Sequence, residues 1–244
     1  MTSAQPRKPA AHVERALCVL AHPDDVDFGS AGTVATWTSA GTEVTYLIVT
    51  DGDAGGFDDT PRERMGPLRR AEQEAAAKAV GVTDVRFLGY SDGRLELTLD
   101  LRRDISRVIR QVRPQRVLTS SPERMWDRIG TSHPDHMTVG ESTLRAVYPD
   151  ARNPFAFPEL LADEGLAAWT VSEVWLGASP RADHVVDVTD VVELKFAALK
   201  SHLTQVSHID DLEQFVTDWM RQTGRRLGLP EGRLGEAFHV VHTA

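Results

Sequence analysis

Short apolar runs recur along this chain, and between them the apolar positions fall at helical spacing. Residues 16–21, 44–50, 85–88, 116–119 and 171–176 read as strands, and 184–188 as an edge strand. Most are apolar at successive positions, the pattern of strands covered on both faces. Helices are expected over 29–40, 67–80, 99–112, 135–147 and 189–204. The second has Pro67 at its start, dense Ala and Glu, and Gly81 as a stop. The third places Leu101, Ile105, Val108, Ile109 and Val112 on one broad face. Strand and helix alternate, so the expectation is an α/β fold: a mostly parallel sheet with helices on both faces. Residues 1–14 read as a flexible tail, 15–244 as one domain, and 149–168 as an aromatic-bearing loop fit to be a lid or an oligomer contact.

Ligand sites in such sheets gather beyond the carboxyl ends of the strands. There the polar chemistry collects. His22-Pro23-Asp24-Asp25-Val26-Asp27 follows the first strand, and Asp51-Gly52-Asp53 the second. His133-Pro134-Asp135-His136 lies beyond the fourth. Burying carboxylates without partners is costly, so the first cluster calls for a metal, hydrogen-bond donors or water. Two His/Asp clusters, each beside a predicted strand end, suggest one metal site assembled from both. The bland alternative for the second is a capped helix start with surface histidines. Asp27 reads as a capping or supporting residue, Arg69 and Glu72 as a surface pair one helical turn apart, and His202 and Gln205 as structural. Trp37, Trp169 and Trp175 are most simply core, whereas Trp126 lies in a polar segment where it can stack on a ligand.

Composition narrows the function. The chain has 244 residues, 41% hydrophobic, enough for a sizeable core. A net charge of −9 without a basic stripe argues against nucleic-acid binding. Cys18 is the only cysteine, so no intrachain disulfide can form. No apolar stretch has signal-peptide or membrane-spanning length, and a soluble cytoplasmic protein is the default expectation.

An ordered set of motifs extends the pattern. Thr50-Asp-Gly-Asp-Ala-Gly55, Arg69-Arg-Ala-Glu72, Phe87-Leu-Gly-Tyr-Ser-Asp-Gly93 and Lys195-Phe-Ala-Ala-Leu-Lys-Ser-His-Leu-Thr-Gln205 join the two His/Asp clusters. Over roughly residues 15–206 the chain resembles the LmbE-like (PIG-L) family of metal-dependent N-acetylglucosaminyl deacetylases. The resemblance implies a three-layer Rossmann-like domain and a zinc ion on His22, Asp25 and His136, although these ligands also suit Fe2+. It implies Asp24 as general base and His133, supported by Asp135, at the oxyanion and leaving amine. Arg69 and Asp92 match sugar-contacting positions. The implied partner is a small N-acyl amino sugar or glycoconjugate, with no nucleic acid or membrane, and trimers or hexamers would fit. In one departure, the tyrosine that some members carry before the second cluster is absent from Trp126–Ser132. Two other readings compete: a non-haem iron oxygenase, whose jelly roll would be strand-dominated, and a sugar-binding module without catalysis.

Overall fold

The computed structural model describes residues 10, 12–57 and 59–243. Seven strands form one sheet in the order β3-β2-β1-β4-β5-β7-β6. They are β1 (Arg15–Leu20), β2 (Glu43–Thr50), β3 (Asp84–Tyr90), β4 (Arg116–Ser120), β5 (Glu173–Gly177), β6 (His184–Asp187) and β7 (Gly235–His242). Strands β1 to β5 run parallel, and β7 is antiparallel to both β5 and β6. The sheet is therefore the mostly parallel one expected, with β6 at its edge, but β7 was not foreseen. It sits between β5 and β6, and its half-buried, His-containing pattern lacks the apolar run of a central parallel strand.

The helices are α1 (Asp25–Ser39), α2 (Arg62–Ala79), α3 (Leu99–Val112), α4 (Pro134–Arg145), α5 (Glu159–Ala162), α6 (Val192–Lys200), α7 (Leu203–Val206) and α8 (Leu212–Arg226). Alternate residues of each strand face opposite layers. Ala16, Cys18 and Leu20 pack with Tyr46, Ile48 and the α1 and α2 residues Val34, Ala35 and Ala76. Leu17 and Val19 pack with Leu47, Val49 and the predicted α3 stripe. A third cluster joins Phe196 and Leu199 of α6 to Val216 and Met220 of α8. Leu212, Val216 and Met220 fall four residues apart, a helical signal that reveals α8 in retrospect.

Several expectations shift. Helix α1 begins at Asp25, four residues early, so Asp25 and Asp27 lie in its first turn, where its dipole favours negative charge. Helix α2 begins at Arg62 and carries Pro67 internally. The 189–204 helix is three pieces, a 3₁₀ turn followed by α6 and α7. The expected tail is not free where it is described. Ala10 N–H donates to Glu173, Ala10 C=O accepts from Arg116, and Val13 is buried in the core; residues 1–9 and 11 lie outside the described residues. The 149–168 loop is no lid. Arg110 of α3 donates to the carbonyls of Asp150, Ala151, Asn153 and Ala156, and Trp169 donates to Pro114 O just before β4. The loop is thus fastened at the amino end of the strands, away from the His/Asp clusters.

Candidate metal centre and active site

Strand order reverses between β1 and β4, which are parallel neighbours with connections leading to opposite sides. A crevice opens at such a switch point because the two outgoing loops part there. The loop after β1 carries His22 to Asp25, and the loop after β4 leads to His133 and His136. Pro134 takes the first position of α4, where its missing N–H costs nothing, and His133 is the N-cap. His133 Nδ1 accepts from Asp135 N–H at 3.3 Å, so the neutral ring carries its proton on Nε2.

Donor atoms of three residues converge, with Asp25 turning a different carboxylate oxygen to each ring. His22 Nδ1 lies 3.4 Å from Asp25 Oδ2 and 3.2 Å from His136 Nε2, and His136 Nε2 lies 3.0 Å from Asp25 Oδ1. Zinc held tetrahedrally at 2.0–2.2 Å requires ligand atoms about 3.3–3.5 Å apart. The triad fits a divalent ion of that size. Its outer contacts fit as well. His136 Nδ1 faces Thr131 O at 3.4 Å, and His22 Nε2 faces Asp92 at 3.0 Å and Asp135 at 3.3 Å. Each ring can donate its proton outward and keep a lone pair for the ion. His22, Asp92 and Asp135 form a second close group, as do His22, His133 and His136, so the imidazole of His22 links all of these residues.

The charge balance points the same way. Burial opposes protonation of His22, yet Asp25, Asp135 and Asp92 outweigh it and push the imidazole up to about 12. Burial also works to raise Asp25, but His136 and His22 hold it well below the usual carboxylate range. Burial likewise opposes the charge on His136, and Asp25 raises it regardless. A pocket that retains a proton this firmly is strongly negative, and a bound cation would displace that proton. Burial lifts Asp24 to about 6 against the lowering pull of Arg69. His133 is depressed, first by burial and then by His22 and His136.

Other expected site residues take different places. Asp135 does not support His133 through its carboxylate. That group faces His22 and accepts from Gly93 and Leu95 N–H, because α4 turns the side chain back toward the β3–α3 loop. Asp92 also faces His22, with its side chain 10% exposed. Arg69 is buried. It donates to Gly52 O, Pro23 O and Asp24 Oδ2, and so clasps the proposed base. Arg69 and Glu72 do not pair; Glu72 accepts from Thr204 N–H and hydroxyl. Asp51 and Asp53 are held by Arg70 and Arg62 at the rim.

Sequence reasoning missed the support beneath Asp24. Asp24 adopts φ 99°, a left-handed conformation that costs a non-glycine residue about 1–2 kcal/mol. Its N–H donates to Gln73 Oε1 at 2.8 Å, and Gln73 Nε2 donates to Asp27 Oδ2 at 2.8 Å. Asp27 Oδ2 also lies 2.8 Å from His202 Nε2, with both side chains fully buried. Asp27 is therefore no helix cap. Behind it, Lys195 Nζ donates to Glu236 and to the Asp27 and Phe28 carbonyls. The only sequence signal for this network was the run Lys195–Gln205 among the resemblance motifs.

Fold and site together describe an α/β protein with a His/Asp metal-type centre at its switch point. A family model described as PIG-L, GlcNAc-PI de-N-acetylase, matches residues 17–147. The chain is 33% identical to the diacetylchitobiose deacetylase of Thermococcus kodakarensis, over 96% of this chain and 85% of that one. It is 32% identical to a probable N-acetyl-alpha-D-glucosaminyl L-malate deacetylase 2 of Bacillus subtilis, over 79% and 83%. The solved N,N'-diacetylchitobiose deacetylase of Pyrococcus horikoshii superposes with a TM-score of 0.84 at 29% identity, covering 94% of this chain and 84% of that one. This chain belongs to the PIG-L family. No helix among the described residues is long and apolar enough to cross a membrane.

Proposed function

We propose that this protein hydrolyses the N-acetyl group of a GlcNAc-type sugar or glycoconjugate at a divalent metal, zinc being the reference ion. Family membership makes it an N-deacetylase; the metal, the residues and their roles are inferred. The reading is carried by His22, Asp25 and His136, whose ring nitrogens lie 3.2 Å apart and each within 3.4 Å of an Asp25 carboxylate oxygen, beside Asp24 and His133. An ion there would activate a water and polarise the amide carbonyl. Asp24, poised near pH 6 and steadied by Arg69, takes the proton of the attacking water. His133 presents Nε2–H toward the charge that develops on the amide oxygen, and it relays a proton to the departing amine, which leaves poorly unprotonated. Asp92 and Asp135 orient His22. The iron-oxygenase reading loses its footing, because the sheet is parallel with helices on both faces and Asp24 is turned to Arg69.

The test is acetate release from N-acetylglucosaminides by zinc-loaded protein, followed by mass spectrometry. We expect turnover that falls at least ~10²-fold in Asp24→Ala with the metal retained. Undiminished turnover in Asp24→Ala would overturn the assignment of the base. Absence of release across N-acetylated mono- and disaccharides and aryl glycosides would leave a binding module.

A further inference from the structure

A two-part cleft lies beside the His/Asp centre without including it. The 3₁₀ turn Trp126–Thr131 and helix α8 form its walls, and two hollows of about 130 and 520 Å³ share Met125, Arg128, Trp219, Thr223 and Arg226. That space accommodates a small-molecule group. No His/Asp residue of the centre lines the cleft, but two of its lining residues stand next to them. Phe28, three residues beyond Asp25 on α1, lines its floor, and Thr131, whose carbonyl faces His136 Nδ1, lines its wall.

The cleft gathers cations. The chain carries a net charge of −9, yet three arginines of this cleft, Arg124, Arg128 and Arg226, have no carboxylate partner among the described residues. Of the acidic residues that line it, Glu236 is buried and paired with Lys195, which leaves only Asp127. Aromatic rings stand beside the cations. Arg128 lies 5.3 Å from the Trp219 ring centre and Arg124 lies 5.6 Å from that of Trp126, which is 79% exposed. Indole faces stack on flat rings, and guanidinium forks grip carboxylates in two parallel hydrogen bonds.

We infer that this cleft binds the aglycone of the substrate, and that the aglycone is an aromatic group bearing a carboxylate. The inference rests on the N-deacetylase reading and adds the class of glycoside. It assigns Arg128 and Arg226 to the carboxylate and Trp126 and Trp219 to the ring.

The probes are p-carboxyphenyl and p-carbamoylphenyl N-acetyl-β-D-glucosaminide, which have similar shape and differ in charge. Binding to the full-length protein is followed by tryptophan fluorescence, and turnover by acetate release. The wild type is expected to bind the carboxylate at least tenfold more tightly, and Arg128→Ala/Arg226→Ala to lose that preference. Arg128→Lys/Arg226→Lys, which keeps charge without the fork, is expected to fall between them. Equal wild-type affinities, or a preference that survives the alanine pair, would overturn the inference. So would a change of oligomeric mass in the alanine pair with the preference intact, since the cleft would then be an interface between copies. A carboxylate preference without turnover of any glucosaminide supports the cleft and rejects the deacetylase reading, so the two failures are distinct.

Discussion

Replacing Lys195 by Met removes the cation from an ion pair with no access to water: Lys195 is 0% and Glu236 4% exposed. Lysine Nζ makes three bonds, to Glu236 Oε1 at 2.7 Å, Phe28 O at 2.7 Å and Asp27 O at 3.0 Å. Methionine fills nearly the same volume, so the cavity term is small and the electrostatic loss dominates. Glu236 would keep only the Gly32 and Thr33 N–H groups of α1 as donors. Breaking a buried pair in this way costs about 3–5 kcal/mol. Neutralising an ordinary glutamate at pH 7 costs about 3.7 kcal/mol, which caps the penalty at a similar level. For a chain of this size each kcal/mol shifts Tm by about 2–4 °C, so the variant should melt about 6–15 °C lower. Lys195→Met/Glu236→Leu removes the stranded charge and should recover part of that loss. Thermal melts monitored by circular dichroism measure both. A single variant within 2 °C of wild type, or no difference between single and double, would refute the claim that the pair anchors the start of α1 by charge.

Four further outcomes follow from the geometry. His136→Ala should sharply reduce the bound metal per chain measured by elemental analysis of dialysed protein, and undiminished zinc content would remove it from the ligand set. Gly140→Ala should destabilise by about 3 kcal/mol in urea melts, because a Cβ there would lie 2.2 Å from Ser120 O and push α4, with His136 one turn earlier, off β4. By contrast Gly29→Ala, with open space at its Cβ, should be neutral or stabilise by up to ~1 kcal/mol. The buried His202–Asp27 contact predicts a pH dependence. Burial works to lower His202, yet its bond to Asp27 raises it above the ordinary histidine value. Its stabilisation is therefore complete below about pH 6.5 and is lost as pH rises through the folded value. The Tm gap between wild type and His202→Gln should narrow from acid to alkaline pH, and a constant gap would contradict the charged pair.

Much of the fold is legible in residue pattern because parallel strands buried on both faces must be apolar at successive positions. Helix α3 was readable to the residue, since one face meets the core and Thr98 caps its start. The C-terminal β7 and α8 were not. The apolar positions of α8 are buried only against Val188, Phe196 and Leu234, which a local pattern does not show. The donor residues His22, Asp25 and His136 were visible as candidates because histidine and carboxylate cluster at strand ends. Their neighbours were misjudged where direction matters. Arg69 and Asp92 looked like sugar contacts, yet one turns inward to Asp24 and the other to His22.

Residue type and spacing alone thus determined the layered α/β architecture and the two His/Asp clusters, since apolar periodicity and ligand chemistry are local properties, and the ordered motifs carried the family resemblance and its ligand set. Tertiary structure alone decided which atoms meet. Strand order placed the ends of β1 and β4 side by side, so two clusters more than a hundred residues apart became one centre. The same packing brought Gln73, His202 and Lys195 beneath Asp24, and set two tryptophans and three arginines around one cleft. Side-chain direction and long-range juxtaposition depend on how whole elements pack, and no local pattern encodes that.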